Sequence, residues 1–461
     1  MSGRSRVALI GLALACPTGA LAHASEQSFV LLLPTEAYIA GGLATVILTA
    51  ILLTLLPTAP AQRLFQPVTL GKSPRLPNKT VTSLLSLTLL AGLVWLGLTG
   101  SHDPTRNPLV VFVWTVFWIG IVLAQGLIGN LWAWINPWTG ALYLVRKAGL
   151  RPIARLSSTV GQWPALVSLL GFARLLLIHP KANDPDTLAQ WVIIYWTVHF
   201  CGGLFLGRRW LQRAEAFTVI LTAYARLAPV GRQHGKLKIG LPGWRWLAQP
   251  IPPLSVAVIL VALLSLGSFE GLYETFFWFT LLGLNPLEFA GRSSVIWQNT
   301  IGLAAALPTL ILIYTACLWA GVRLSRTQTP LSMTFRAFAP ALLPIAFGYH
   351  FAHYLPGLLV DGQSIPIVMT DPLGNGADLL HYGHPPVTTG FFNRLDTVRL
   401  IWLAQAGAVV TGHVIGILMS HSIALRLFDG QKNNAKSQLP LSGFMILYTL
   451  FGLWLLASPH V

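Results

Sequence analysis

Two histidines spaced three apart, His350 and His353, sit inside an apolar run long enough to cross a bilayer. On a helix that spacing puts both imidazoles on one face. An ionisable group in such a run costs roughly 3 kcal/mol at the bilayer centre, so each one marks a candidate site of function. The spacing recurs as His381 and His384, near Asp361, Asp371 and Asp378, although Pro385 and Pro386 argue against a helix there. Glu270 and Glu274 follow another apolar run and share a face if its helix continues. Imidazoles beside carboxylates suit a divalent metal such as zinc or copper, which lowers the pKa of bound water enough to make a nucleophile near neutral pH. The expected catalytic groups are Glu270, His350 and His353, and the expected metal ligands are His350, His353, His381 and His384. The same histidines can instead hydrogen-bond across helices and hold a bundle together, and the residues leave both roles open.

The elements that must position these groups are transmembrane helices. Only 10% of the 461 residues are charged and 54% are hydrophobic, far from the roughly 25% charge of soluble domains. Ten apolar runs of spanning length are expected: 37–56, 81–98, 109–128, 163–178, 188–206, 251–266, 295–320, 337–360, 398–420 and 441–456. The predicted fold is an all-α polytopic bundle forming one transmembrane domain over 23–461, with the lipid bilayer as its partner.

Arg4 and Arg6 precede a short apolar stretch and the small-residue sequence Ala20-Leu21-Ala22, which reads as a cleavable signal peptide over 1–22. Cleavage after Ala22 leaves His23 at the mature amino terminus, where its α-amine and imidazole can chelate one metal ion, a further expected ligand. Cys16, Cys201 and Cys317 have no disulfide or zinc-knuckle spacing.

With the amino terminus outside, alternate loops should be cytoplasmic and basic. The expected inner loops carry Arg63 to Lys79, Arg146 to Arg155, Arg208 to Arg245, Arg323 to Arg336, and Arg426 to Lys436, whereas every acid except Glu215 and Asp429 falls outside them. The formal net charge of +16 is therefore topological, which removes a nucleic-acid partner. The chain is expected in a bacterial inner membrane with both termini periplasmic. The stretch Glu215 to Leu227 reads as amphipathic and, with Trp132, Trp134, Trp138 and Trp244, as an interfacial anchor.

Several short motifs, in order, resemble the integral-membrane fenitrothion hydrolase family. They are the His after the leader, Asp103-Pro104, Asn136-Pro137-Trp138, Gly207 to Pro229 with Trp210, Glu215 and Phe217, Ser268-Phe269-Glu270-Gly271, His350 to Tyr354, Asp371-Pro372, and Gly412-His413 to His421. The resemblance spans nearly all of the mature chain. It implies hydrolysis of an organophosphorus triester, a small apolar substrate, and a second membrane subunit as a partner to look for. It carries over no catalytic residues, and Glu270 stands where an Asp is expected in many relatives.

Two functions follow. One is a membrane hydrolase cleaving organophosphorus triesters with metal-activated water. The other is a non-enzymatic protein that binds or transports copper or another metal on the periplasmic face through His23 and the outer histidines, because copper favours imidazole.

Overall fold

The computed structural model describes residues 30, 32–55, 63–73, 77–154, 156–288, 291–428 and 434–460. The expected signal peptide, Cys16 and His23 lie outside the described residues. Twelve helices matter for the site: α1 (Thr35–Leu55), α2 (Lys79–Thr99), α3 (Pro108–Leu127), α4 (Pro137–Lys147), α5 (Trp163–Leu177), α6 (Pro185–Leu206), α7 (Ala216–Ala225), α8 (Leu254–Leu272), α9 (Ile296–Ser325), α10 (Leu331–Asp361), α11 (Leu395–Leu427) and α12 (Asn434–Ala457). Among the described residues nine are long and apolar enough to cross a membrane, so the chain is an all-α, multi-pass membrane protein. The tenth expected span is α5, whose 15 residues rise about 22 Å, short of a hydrocarbon core of about 30 Å.

Local sequence sets the helix starts. Asn78, Asn107, Asn136 and Asp184 each accept a backbone N–H of the first turn, and Pro108, Pro137 and Pro185 occupy first positions where the missing N–H costs nothing. Within α3, Phe112–Ile121 is π-helical, which locally shifts the face its side chains present. α10 and α11 approach closely because Gly348 and Gly412 face each other's backbones. A Cβ at Gly412 would lie 2.6 Å from the Pro344 carbonyl oxygen, and one at Gly348 would lie 2.5 Å from that of Ala408.

The loops sort into two ends. Strands β1 (Val68–Lys72), β2 (Val230–Gln233) and β3 (Lys236–Ile239) form an antiparallel sheet in the order β1-β3-β2, tying the α1–α2 connection to the long α7–α8 connection. The β2–β3 hairpin turns on His234 and Gly235, both at positive φ, as a two-residue turn of primed type requires. Ser83 donates to the Asn136 carbonyl, Arg336 to that of Pro252 and Arg426 to that of Leu247, so the basic loops gather at one end. At the opposite end His102 lies 3.3 Å from Asp186, and Arg292 donates to the Leu176 carbonyl.

The expected interfacial anchor is instead interior. α7 is buried over nearly its whole surface, because its ten residues are apolar or small all round and the charges fall only beyond its ends, at Glu215 and Arg226. Glu215 is itself buried and caps α7: Oε1 accepts from the Phe217 N–H at 2.8 Å and from the Tyr195 hydroxyl at 2.6 Å, and Oε2 from the Thr218 N–H at 2.6 Å. Trp132, Trp138 and Trp244 are likewise buried, donating to the Thr218 hydroxyl and to the carbonyls of Trp196 and Pro229. Their indole N–H groups find partners inside the protein, so the headgroup region has no claim on them.

Candidate functional site

Glu270 lies in the last turn of α8, and the helix ends two residues later at Leu272. Its carboxylate is buried, and Oε1 accepts a hydrogen bond from the Tyr354 hydroxyl. The same oxygen lies 3.9 Å from His353 Nε2. Tyr354 in turn accepts from Trp118 Nε1 at 2.6 Å, across 236 residues of chain, from the π-helical segment of α3. His350 packs its ring edge-on against Trp118 with centroids 5.2 Å apart, and at 4.8 Å from the Tyr354 ring. One turn of α10 thus supplies His350, His353 and Tyr354, while α8 supplies the carboxylate and α3 the indole that orients the phenol.

Trp118, Glu270, His350 and His353 line a cavity together with Tyr224 and Tyr349, and the rest of its wall is apolar. Leu169, Phe172, Ala173 and Leu176 of α5 close it opposite Glu270, His350 and His353. Its volume is ≈ 40 Å³, enough for a few ordered waters. His350 Nε2 is buried and has no hydrogen-bond partner among the described residues. A buried imidazole nitrogen without a partner forfeits a hydrogen bond worth about 1–3 kcal/mol, so a water or a cation beside it would be stabilising.

The other expected residues are placed elsewhere. Glu274 lies beyond α8 and pairs with Arg292 at 3.6 Å, so it does not share a face with Glu270 as a continued helix would require. His381 and His384 belong to the α10–α11 connection, which two aspartates organise. Asp371 accepts the N–H groups of Asn375 and Gly376 at 3.0 and 2.9 Å, and Asp378 accepts those of Tyr382 and Gly383 at 2.8 and 3.1 Å. Partial burial works against ionisation of Asp371, yet the Gly376 and Asn375 N–H groups and His384 hold its carboxyl below the usual value. The Thr370 hydroxyl and the Gly383 N–H lower that of Asp378. His384 Nε2 lies 3.5 Å from Asp371, and His381 is exposed at positive φ. His413, in the core of α11, bonds its Nδ1 to the Val409 carbonyl at 2.9 Å, and the adjacent Gly412 serves helix packing.

Two imidazoles and a carboxylate are the right donor set for a borderline divalent ion, and the unpartnered His350 Nε2 is the feature that fits one. Among the described residues, however, no three His, Cys, Asp or Glu side chains converge as a metal would require. The inner group and the His384–Asp371 pair do not combine into one such set. Sequence reading passed over Tyr354 and Trp118. Tyr354 had a signal, being four residues after His350 and so on its face of the helix. Trp118 had none, since only the packing of α3 on α10 selects it from the 17 tryptophans.

No family model, curated protein or solved structure matches the chain.

Proposed function

We propose that the protein is an integral-membrane hydrolase that cleaves a small apolar ester, of the organophosphorus triester class, at the Glu270, His350 and His353 cluster. The observation that carries this reading is a buried carboxylate placed against an imidazole at 3.9 Å, on the wall of a water-sized cavity. A neutral triester partitions into lipid, and the wall formed by the short helix α5, whose outer face exposes Val167, is the side from which such a molecule would enter. The cavity is too small for a triester as it stands, so turnover requires α5 to move outward.

In the proposed reaction the water oxygen attacks phosphorus, His353 Nε2 takes the water proton, and Glu270 stabilises the resulting imidazolium. The bond from phosphorus to the leaving oxygen breaks, and that oxygen departs with the electron pair. Tyr354, fixed by Trp118, holds Glu270 in place. A divalent metal is the alternative to that proton transfer: His350, His353 and Glu270 would be the residues to hold it after closing together, and it would supply Lewis acidity and a lower water pKa in place of a free His353 base. The proposed setting is a bacterial inner membrane with the cluster in the periplasmic half.

The test is turnover of an aryl phosphotriester by purified protein in nanodiscs, with elemental mass spectrometry on the same samples. Turnover lost in Glu270→Gln and His353→Ala supports the assignment, and metal that disappears in the His350→Ala/His353→Ala variant places the ion there. Turnover that survives Glu270→Gln undiminished would remove the carboxylate from the mechanism. Stoichiometric metal without turnover would favour the binding or transport reading instead.

A further inference from the structure

A second and larger cavity lies at the basic end, away from the Glu270 cluster. Its volume is ≈ 560 Å³, within the range of small-molecule sites. The first residue of α2, the last turn of α4, the segment Arg208–Arg213 and the end of α7 contribute Lys79, Arg146, Arg208 and Arg226 to its lining. The other polar lining consists of amides and hydroxyls, among them Asn130, Gln162, Gln212 and Thr222, and among the described residues no carboxylate faces the space. Glu215, the acid nearest these residues in sequence, is turned away into its own helix start and Tyr195. None of the four cations forms an ion pair among the described residues.

Positive-inside topology accounts for basic loops at this end, where water and headgroups solvate each charge. It does not account for four cations around one concave space. Arg146 carries a buried Nη2 with no hydrogen-bond partner among the described residues. Arg226 stacks on Trp246 at 4.5 Å, and its burial together with the like charge of Arg245 lowers its pKa. Arg146 and Arg226 are thus partly desolvated without an ion pair, while Lys79 and Arg208 are exposed at the same space, and a multivalent oxyanion would satisfy the inner pair by accepting their N–H donors.

We propose that this cavity binds a phosphate-bearing anion, a monoester or diester, through Lys79, Arg146, Arg208 and Arg226. Two sources share that chemistry: the headgroup of an anionic phospholipid, which basic pockets between membrane helices accommodate, and a soluble phosphate from the adjoining aqueous phase. The site is independent of the hydrolytic reading above.

The experiment uses full-length protein in phosphatidylcholine nanodiscs and reads the intrinsic tryptophan fluorescence, to which the lining residues Trp132 and Trp246 contribute, together with the thermal midpoint. One arm titrates inorganic phosphate and glycerol 3-phosphate, and the other raises the phosphatidylglycerol content of the discs. A saturable response is expected in at least one arm. Saturation by the soluble probes identifies a free phosphate, and saturation by the lipid alone identifies a headgroup. The Arg146→Gln/Arg208→Gln variant should bind roughly tenfold more weakly or worse, the loss expected for removing charge-assisted bonds. The Arg232→Gln/Lys236→Gln variant removes the same charge from the exposed sheet at the same end and should leave binding unchanged. Gln212→Glu, which sets a negative charge at the exposed rim of the cavity, should weaken binding as well, and it tests the site if the double variant does not fold. No saturable response in either arm, or equal weakening by the sheet and cavity variants, overturns the proposal.

Discussion

Glu270 is held by one hydrogen bond from Tyr354 and faces His353, so its two roles can be separated by substitution. Glu270→Gln keeps the size and the Tyr354 contact but removes the negative charge. Phosphotriester turnover should fall by roughly 10²–10⁴-fold, as expected for loss of a general acid–base partner, while the thermal midpoint stays within a few degrees. Tyr354→Phe frees Glu270 Oε1 and leaves Trp118 Nε1 unpaired, so it should lower turnover less and stability more; calorimetry and kinetics on one preparation distinguish the two. Asp371 makes a different prediction. Its folded pKa lies below the ordinary 3.8, so its stabilisation of the loop is complete above that value and is lost as pH falls through the folded pKa. Pepsin should therefore cut the loop at 373–383 progressively faster below pH 3.8, beyond the enzyme's own pH response on an unfolded peptide. Asp371→Asn should already be cut quickly at pH 4–5.

At the scale of elements, the site depends on three helices meeting: α8, α10 and the π-helical part of α3. The α10–α11 contact positions α10, because Gly348 and Gly412 let the two backbones meet where a Cβ would collide. Gly412→Val would drive its side chain into the Pro344 carbonyl and the Ile345 backbone, and should destabilise the bundle by about 1–3 kcal/mol, read as a lowered thermal midpoint in detergent. Turnover should fall along with stability, since His350 and His353 ride on the displaced helix. The reversal for α7 belongs at this scale too. A segment with charges only at its ends lacks the polar face of an interfacial helix, and in the fold its neighbours cover it on nearly every side.

For the whole molecule, the prediction concerns orientation. The gathering of basic loops at one end and of Asp371, Asp186 and Arg292 at the other is a property of the fold. The assignment of the basic end to the cytoplasm rests on the positive-inside rule. Single cysteines at Ala377 and Lys236, in a background lacking Cys16, Cys201 and Cys317, test it directly in spheroplasts. Ala377→Cys should react with a membrane-impermeant maleimide and Lys236→Cys should not; the opposite labelling would invert the topology and place the Glu270, His350 and His353 cluster in the cytoplasmic half.

Sequence alone determined the fold class, most helix positions and the two-ended charge distribution, because spanning length, apolar runs and the cost of moving charge across lipid are local properties of the chain. It also singled out Glu270, His350 and His353, since ionisable groups are conspicuous in apolar surroundings. It did not determine which of the candidates meet. Helical spacing places His350 beside His353, but only packing brings Glu270 to His353 and Trp118 to Tyr354, leaves Glu274 with Arg292, and keeps His384 with Asp371 in a loop of its own. The basic cavity was invisible for the same reason: Lys79, Arg146, Arg208 and Arg226 are read along the chain as loop charges, and become one site only when four separate segments converge.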